Sequence, residues 1–475
     1  MPSTPVLPCL PSSSAPIVRT PGPAGTYPLQ RPTYTIPPSL FPHIQTASDH
    51  LRSGRTVALP TETVYGLAAS SLNPSALQLI YKIKNRPSDN PLIIHISSLD
   101  MLQSLLPTHA QPSALYMALI TAFWPGPLTL LFPSKSPPPL PAPQTNAIRM
   151  PNHPLTLAVI NHADLPLSAP SANSSGRPSP TRARDVVRDL DGAEGLGCIL
   201  DGGDCGVGVE STVVDGLAWK EGGGGYVDVL RPGGLGVEEI KRVVEEVDGK
   251  EGMTEIRVHG KPWRGPAKAS AVGYTKPTAT ASQTKEARSV ERSSSEASSS
   301  KLFPSTPGMK YRHYSPRVPV YLLLPSNSFP RPSTTAASSP SDPSSVLRSL
   351  ASRHPSPKPR FGLLHYTSSP LFHSLSSDST GSSVPEATYD LTLIPLGPDS
   401  TSAAQRLFSG LLDLEGGEAG LGGVDAILVE GCTDEGLGLA VMERVGKAVG
   451  GGGAVGALGV GEGSGGEEGR FWVQV

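Results

Sequence analysis

The chain reads as a mixed α/β protein. It has one domain with a sizeable sheet, then a smaller domain with a second α/β pattern. Three observations predict this. Short, continuous apolar runs bounded by Gly and Pro alternate with stretches of helical periodicity, in two separate regions. Polar residues gather where those runs end, which is where sites are usually built. Composition marks the gaps between ordered regions. Pro 52 and Gly 51 make up more than a fifth of 475 residues, with 37% hydrophobic and only 5% aromatic residues. That bias accompanies low-complexity segments between folded units.

Residues 1–43 are rich in Pro, Ser and Thr and are expected to be a disordered tail. A short helix over 46–52 leads to the strand Thr56–Leu59, which stops at Pro60. A polar turn with Thr61, Glu62, Thr63 and Tyr65 follows. A helix then begins near Pro74, with Leu77, Ile80 and Tyr81 at helical spacing, and a second strand runs from Leu92 to Ile96. Helices are expected over 99–105 and 112–123, before the breaker Trp124-Pro125-Gly126-Pro127. Leu128–Phe132 is a strand, and 133–145 is a Pro-rich loop. Ala147–Met150 is a strand, Pro154–His162 a helix and Leu167–Ala169 a strand.

After the polar loop 170–180, Thr181 is expected to cap a helix over 182–190. Strands near 198–200, 211–214 and 227–230 and a helix over 237–247 close the first domain, 44–250. Residues 251–317 form a linker. Within it, 265–302 is Ser, Ala, Lys and Glu with few large apolar groups, too little to offset chain entropy, and reads as a disordered insertion. The second domain, 318–448, carries strands near 318–324, 360–365, 389–394 and 426–429 and helices over 343–352, 401–413 and 436–448. Continuous apolar strands between helices suggest a small parallel sheet, Rossmann-like in outline. Residues 449–475 are a Gly-rich tail.

Charge and cysteine usage bound the function. Net charge is −2, so no global field favours nucleic acid. Cations nevertheless punctuate the first half at Lys84, Arg86, Arg149, Arg177, Arg182, Arg184 and Arg231, while the chain is mainly acidic from Asp413 onward. A local anion site fits better than a basic face. The four cysteines, Cys9, Cys198, Cys205 and Cys432, form no CxxC pair, which suits a reducing compartment. No apolar run reaches the roughly 18 residues of a membrane helix. The first 48 residues lack acidic groups, a trait of transit peptides, but their prolines oppose the amphipathic helix such peptides need. The expected compartment is the cytoplasm, with a mitochondrial or nuclear pool as the alternative.

There is no GxxxxGK[ST], HExxH, paired CxxC or GxSxG motif, and Gly202–Gly208 leads into a strand rather than a helix. Four polar loops remain: PTETVYGL, KNRPSDNPL, APSANSSGRPSP and GVESTVVD with VLRPGG. Each has a structural reading beside a functional one. The first could be a capped turn. Lys84 and Arg86 could merely close a helix, although Arg86 has the fork geometry for phosphate. Ser171, Asn173 and Ser179 could stabilise turns or donate to a polyanion. His95 ends a strand, where a satisfied structural histidine is the default. Arg149 in an apolar strand needs an anionic partner, and a bound carboxylate would serve. Together these groups suit a nucleotide plus a small carboxylate, without a P-loop.

These loops carry a resemblance. PTETVYGL, KNRPSDNPLIIHI, WPGPLTL, IRMPNHP, APSAN, GRPSPT, ILDGG, GVESTVVD, LRPGG and PGMKYRHYSP occur in that order. They resemble the YrdC-like threonylcarbamoyl-AMP synthases in their two-domain form, and GLGLAVMERVGKA looks like that family's second domain. The resemblance implies a YrdC-like twisted mixed sheet in the catalytic domain, 44–250. It implies nucleotidyl transfer: ATP, L-threonine and bicarbonate give L-threonylcarbamoyladenylate, pyrophosphate and water, which supplies the threonylcarbamoyladenosine modification of tRNA.

Carried across residue by residue, Thr63, His95, Arg149, Ala169 and Ser211 would hold threonine. Arg86, Asn90, Thr145, Ser171, Ser179, Arg231 and Tyr314 would hold ATP. Lys84 and Arg86 would offset charge on the triphosphate, and Asn173 would line the site. No metal cage is expected, with Mg²⁺ arriving on the ATP phosphates. The motif over 307–316 is expected to be a lid, with Tyr314 against the nucleotide. The implied partners are the substrates and the downstream tRNA threonylcarbamoyl-transfer machinery, with no membrane and at most a weak contact to tRNA or other nucleic acid. One alternative is a carbamoyltransferase of the hydrogenase-maturation type, which would carry paired CxxC motifs and an acylphosphatase-like domain. The other is a YrdC-like module that binds RNA or DNA without chemistry.

Overall fold

The computed structural model describes residues 3–10, 16–135, 144–249, 254–265, 313–325, 342–367, 369–377, 388–416, 423–449 and 469–473. Almost all of the insertion over 265–302 and most of the lid motif over 307–316 lie outside these residues, as does most of the Gly-rich stretch after 449.

The first sheet has twelve strands. In chain order they are β1 (Val6–Pro8), β4 (Thr56–Leu59), β5 (Gly66–Ser70), β6 (Ile93–His95), β7 (Leu128–Pro133), β8 (Thr145–Arg149), β9 (Leu167–Ser168), β10 (Leu196–Asp201), β11 (Thr212–Asp215), β12 (Tyr226–Arg231), β13 (Glu255–Val258) and β14 (Lys261–Pro262). Their spatial order is β1-β10-β4-β5-β9-β6-β8-β7-β11-β12-β13-β14, with parallel and antiparallel neighbours mixed. A small hairpin of β2 (Val18–Thr20) and β3 (Thr33–Thr35) stands apart.

The helices described in this domain are α1 (Phe41–Arg52), α2 (Pro74–Lys84), α3 (Leu99–Leu105), α4 (Ala114–Phe123), α5 (Pro154–Ala163), α6 (Ala183–Leu190) and α7 (Val237–Asp248). They pack on the sheet through its apolar faces. Leu99 of α3, Leu119 and Ile120 of α4 and Ile240 of α7 belong to one core. Ile44 and Leu51 of α1 join Leu155 and Val159 of α5 in another, and Val186 and Leu190 of α6 lie in a third.

Several expectations are corrected. The Pro-rich tail is not unpacked over its described residues. Backbone pairing places Val6 opposite Ile199, and Cys9 is buried among Ile44, Leu51 and Leu200. Three-residue strands carry too little periodicity to be read from sequence. The helix α1 starts at Phe41 rather than at 46 because Pro42 fits the first helical turn. A strand not read from the sequence, β5, lies between the two that were: it pairs antiparallel with β4, and β9 separates it from β6. Thr181 does not cap α6. Arg182 occupies that position, and the Asp185 carboxylate accepts the Arg182 backbone N–H at 3.1 Å. Residues 255–262 extend the sheet rather than belonging to a linker.

The second sheet has five parallel strands: β15 (Val320–Pro325), β16 (Arg360–Tyr366), β17 (Asp390–Gly397), β18 (Ala426–Glu430) and β19 (Arg470–Val473). Their order, β17-β16-β18-β15-β19, differs from the dinucleotide-binding order, so the Rossmann likeness is one of outline only. The helices α8 (Pro343–Arg353) and α9 (Pro370–Ser377) cover one face. The helices α10 (Ser400–Gly416) and α11 (Gly438–Ala448) cover the other. β19 lies in the stretch expected to be tail.

The domains meet along α10 and α11. Val64 and Val209 of the first domain sit in the same core as Leu407 and Phe408. Gly208, at φ +78°, lets the backbones approach: a Cβ there would fall 2.3 Å from the Gln405 Cα.

Candidate active site

The candidate site is a cleft of about 730 Å³ when the open solvent at its entrance is included. Its walls are the ends of β6, β8, β11 and β12, the turn after β4, the loop after β9, and the segment at Tyr314. The turn after β4 is locked by Thr61. Its hydroxyl accepts the N–H of Thr63 at 3.1 Å and of Val64 at 3.2 Å, and so sets the Thr63 hydroxyl toward the cleft.

His95 and Arg149 are register partners at the ends of the parallel strands β6 and β8. Arg149 is 3% exposed. Its Nε donates to the Gly126 carbonyl at 3.0 Å and its Nη1 to the Thr63 hydroxyl at 2.9 Å. Its Nη2 lies 2.6 Å from a Glu62 carboxylate oxygen, an ion pair by distance but without hydrogen-bond alignment. The guanidinium is therefore fixed in place and retains donor capacity. Burial, and then Arg149, push the His95 imidazole down to about 3, so it is neutral at physiological pH.

Elsewhere in the lining, Arg86 donates from Nε to the Asn90 carbonyl at 3.1 Å and from Nη2 to the Asn90 side chain at 2.8 Å. Burial lowers it only to about 10, so it remains a cation. Lys84 is 1% exposed, and its ammonium donates to the carbonyls of Ser171 and Asn173. Burial, reinforced by Arg86, lowers its pKa well below the ordinary lysine value. The Asn173 amide nitrogen donates to the carbonyls of Ser174 and Arg177 at 2.9 and 3.0 Å, which leaves its buried Oδ1 without a partner. Arg231 is buried and donates to the Ser211 carbonyl at 2.9 and 3.2 Å and to its hydroxyl at 3.2 Å.

Thr63, Lys84, Arg86, His95, Arg149, Ala169, Ser171, Asn173, Ser179, Ser211, Arg231 and Tyr314 all line this one cleft. Asn90 does not; it is buried behind Arg86 and fixes its guanidinium. Thr145 also stands away. It opens β8 opposite Pro133, four residues before Arg149, roughly 13 Å along an extended strand.

Sequence reasoning missed several groups. Glu62 lies behind Arg149. Glu210 lines the cleft, buried, and accepts from the Ser179 hydroxyl at 2.6 Å. Arg444 reaches Glu210 from α11 of the second domain. His313 lines the cleft beside Tyr314. The PTET and GVEST strings place Glu62 and Glu210 in the right loops. Nothing in the linear sequence pairs Glu210 with a residue 234 positions downstream.

Comparison with known proteins agrees with this architecture. A family model for Sua5/YciO/YrdC, described as telomere recombination, matches residues 49–233. A second, the threonylcarbamoyl-AMP synthase C-terminal domain, matches 238–450. The threonylcarbamoyl-AMP synthase of Schizosaccharomyces pombe is 37% identical over 89% of this chain and 92% of its own length. That of Pyrococcus abyssi is 34% identical over 86% and 94%. The crystal structure of P. abyssi Sua5 complexed with L-threonine superposes with a TM-score of 0.59 at 32% identity, covering 86% of this chain and 94% of that one. The chain belongs to the Sua5/YrdC family of threonylcarbamoyl-AMP synthases.

Proposed function

We propose that the cleft joins ATP, L-threonine and bicarbonate into L-threonylcarbamoyladenylate, releasing pyrophosphate and water, and that its two ends divide the substrates. The observation that carries this reading is the convergence, within one cleft, of a fixed buried guanidinium, Arg149, with further cations and hydroxyls. Arg149 would take the threonine carboxylate through its remaining donor capacity, with Thr63, neutral His95, Ala169 and Ser211 shaping the pocket. Arg86, Arg231, Ser171 and Ser179 would face the nucleotide, with Tyr314 closing over it and Asn173 offering its free Oδ1. Asn90 would act through Arg86. Thr145, which the resemblance assigns to ATP, would have to meet the nucleotide from the start of β8, outside the residues that line the cleft.

The chemistry needs no nucleophilic side chain. The threonine amine captures CO₂ or bicarbonate as a carbamate, and a carbamate oxygen attacks the α-phosphorus as pyrophosphate leaves. Holding the two reactants together and offsetting developing charge supplies the acceleration. Lys84, through the N–H left beyond its two carbonyl partners, and Arg86 would offset that charge. The cleft donors are guanidinium, ammonium and hydroxyl groups, and the one lining carboxylate among the described residues is engaged by Ser179 and Arg444. That donor set fits Mg²⁺ carried on the phosphates as part of the substrate.

The product would pass to the tRNA threonylcarbamoyl-transfer machinery. No helix among the described residues is long and apolar enough to cross a membrane. We place the chain in the cytoplasm, with a mitochondrial or nuclear pool as the alternative; its four free cysteines suit any of these reducing compartments.

The test is pyrophosphate release from the full chain with MgATP, threonine and bicarbonate. Release should require threonine and bicarbonate together. Release that is indifferent to threonine would overturn this reading.

A further inference from the structure

Glu210 is electrostatically out of place. It lines a cleft whose other charged groups, among the described residues, are cations, and on the reading above a polyphosphate would approach it. A buried carboxylate facing such a ligand repels it unless the charge is cancelled from behind. The first domain supplies no direct ion pair to it among the described residues: Glu210 Oε1 accepts from the Ser179 hydroxyl at 2.6 Å, and Arg231 donates to Ser211. The cancelling group comes from the second domain. Arg444, on α11 and 1% exposed, donates to Glu210 Oε2 from Nε at 3.1 Å and from Nη2 at 2.9 Å. Its Nη1 donates to the Pro232 carbonyl at 2.6 Å and to the Ala440 carbonyl at 3.2 Å, so the fork is held on both domains.

We propose that Arg444 is a positioning residue for the nucleotide end of the cleft. It neutralises Glu210, and through Glu210 it orients the Ser179 hydroxyl, so the second domain contributes an electrostatic part to the site. The arrangement is a chain, Arg444 to Glu210 to Ser179, crossing the domain boundary once. Glu210 carries its negative charge in this state. Burial alone would raise its carboxyl, but Arg444 and then Arg231 outweigh it and hold the group down at about 2. The Arg444 guanidinium also lies 5.7 Å from the Tyr314 ring centroid, so the residue that cancels Glu210 also backs the aromatic group at the cleft mouth.

The proposal rests on the reading of the cleft as an ATP site, and the experiment separates the two. Wild type, Arg444→Met, Arg444→Lys and the double variant Arg444→Met/Glu210→Gln are compared by steady-state pyrophosphate release, varying ATP and threonine in turn. Arg444→Met strands a buried carboxylate and should raise the KM for ATP about tenfold or more. The KM for threonine should move less than about threefold. Adding Glu210→Gln removes the stranded charge and should recover most of the loss, and Arg444→Lys should fall between.

If wild type shows no threonine-dependent release, the functional reading fails, not this inference. If wild type is active and Arg444→Met leaves the KM for ATP unchanged, the inference is wrong. It is equally wrong if the double variant is no better than the single one. Should Arg444→Met fail to fold, Arg444→Lys, which keeps a cation but loses the fork on Glu210, carries the test. A rise in the KM for ATP alone supports the relay, and an unchanged KM for ATP overturns it.

Discussion

Arg149 shows how one residue can be both structural and poised for a ligand. An arginine inside an apolar strand is costly unless its charge is met. Here Glu62 meets it from behind, while Gly126 and Thr63 fix two of its nitrogens. The Nη2 contact to Glu62 lacks hydrogen-bond alignment, which leaves room for a carboxylate to compete on the cleft side. A charge-assisted bond of this kind is worth roughly 1.5–3 kcal/mol, or about ten- to a hundredfold in affinity. Arg149→Ala should therefore raise the KM for threonine by about that factor and change the KM for ATP by less than about threefold. Arg149→Lys, which keeps the charge but not the fork, should recover only part of the loss. Initial rates of pyrophosphate release against threonine check this. An equal rise in both KM values would mean that the residue holds the cleft together rather than the amino acid.

Among the elements, the segment at Tyr314 has an unusual backbone conformation. Tyr314 has φ +68°, a left-handed conformation uncommon for a bulky residue, and it is buried against Phe408 with ring centroids 5.2 Å apart. The Ser315 N–H donates to the Gly176 carbonyl at 2.8 Å, and the Arg317 N–H donates to the Glu415 carboxylate. The segment is thus tied to both domains across the cleft mouth. Tyr314→Ala should shorten the lifetime of the labile mixed anhydride, because water would reach it, and should slow ATP turnover. The half-life of the enzyme-bound product after excess substrate is removed, with turnover measured alongside, tests the lid, and unchanged values in both would remove it. Elements like β7 and β18 were legible in the sequence because they are buried, continuous apolar runs. β5 was not, because Gly66–Ser70 has one large apolar residue, Leu67, among small ones and none that is β-branched, and β1 to β3 are too short to show a period. The cleft residues were legible where a motif kept them close, as with Thr63 or Arg86. The Glu210–Arg444 pairing was not, because only the docking of two domains creates it.

At the scale of the molecule, the two domains are joined by an apolar seam flanked by ion pairs. The Arg177 guanidinium grips Glu415 with two nitrogens, and Arg182 grips Asp413 at 2.6 and 2.9 Å. Both acids lie in the last turn of α10, so one helix end carries the charges that the first domain reads. Glu415 is 8% exposed and Asp413 25%, so the first pair should weigh more than the second. Breaking a buried pair costs roughly 3–5 kcal/mol, and a partly exposed one about 1 kcal/mol or less. Neither acid belongs to the second domain's own core, where Leu322, Leu364 and Ile427 are packed. Reversing both charges, with Asp413→Lys and Glu415→Lys together, should therefore uncouple the domains without unfolding either. Calorimetry should turn one cooperative transition into two, and the KM for ATP should rise, because Arg177 lines the cleft and loses its anchor. A control on the exposed Lys358–Asp390 pair, Asp390→Asn, should leave a single transition. If the double reversal also melts as one unit at the control temperature, the apolar seam around Val64, Val209 and Phe408 is sufficient to couple the domains, and the ion pairs serve only to choose their orientation.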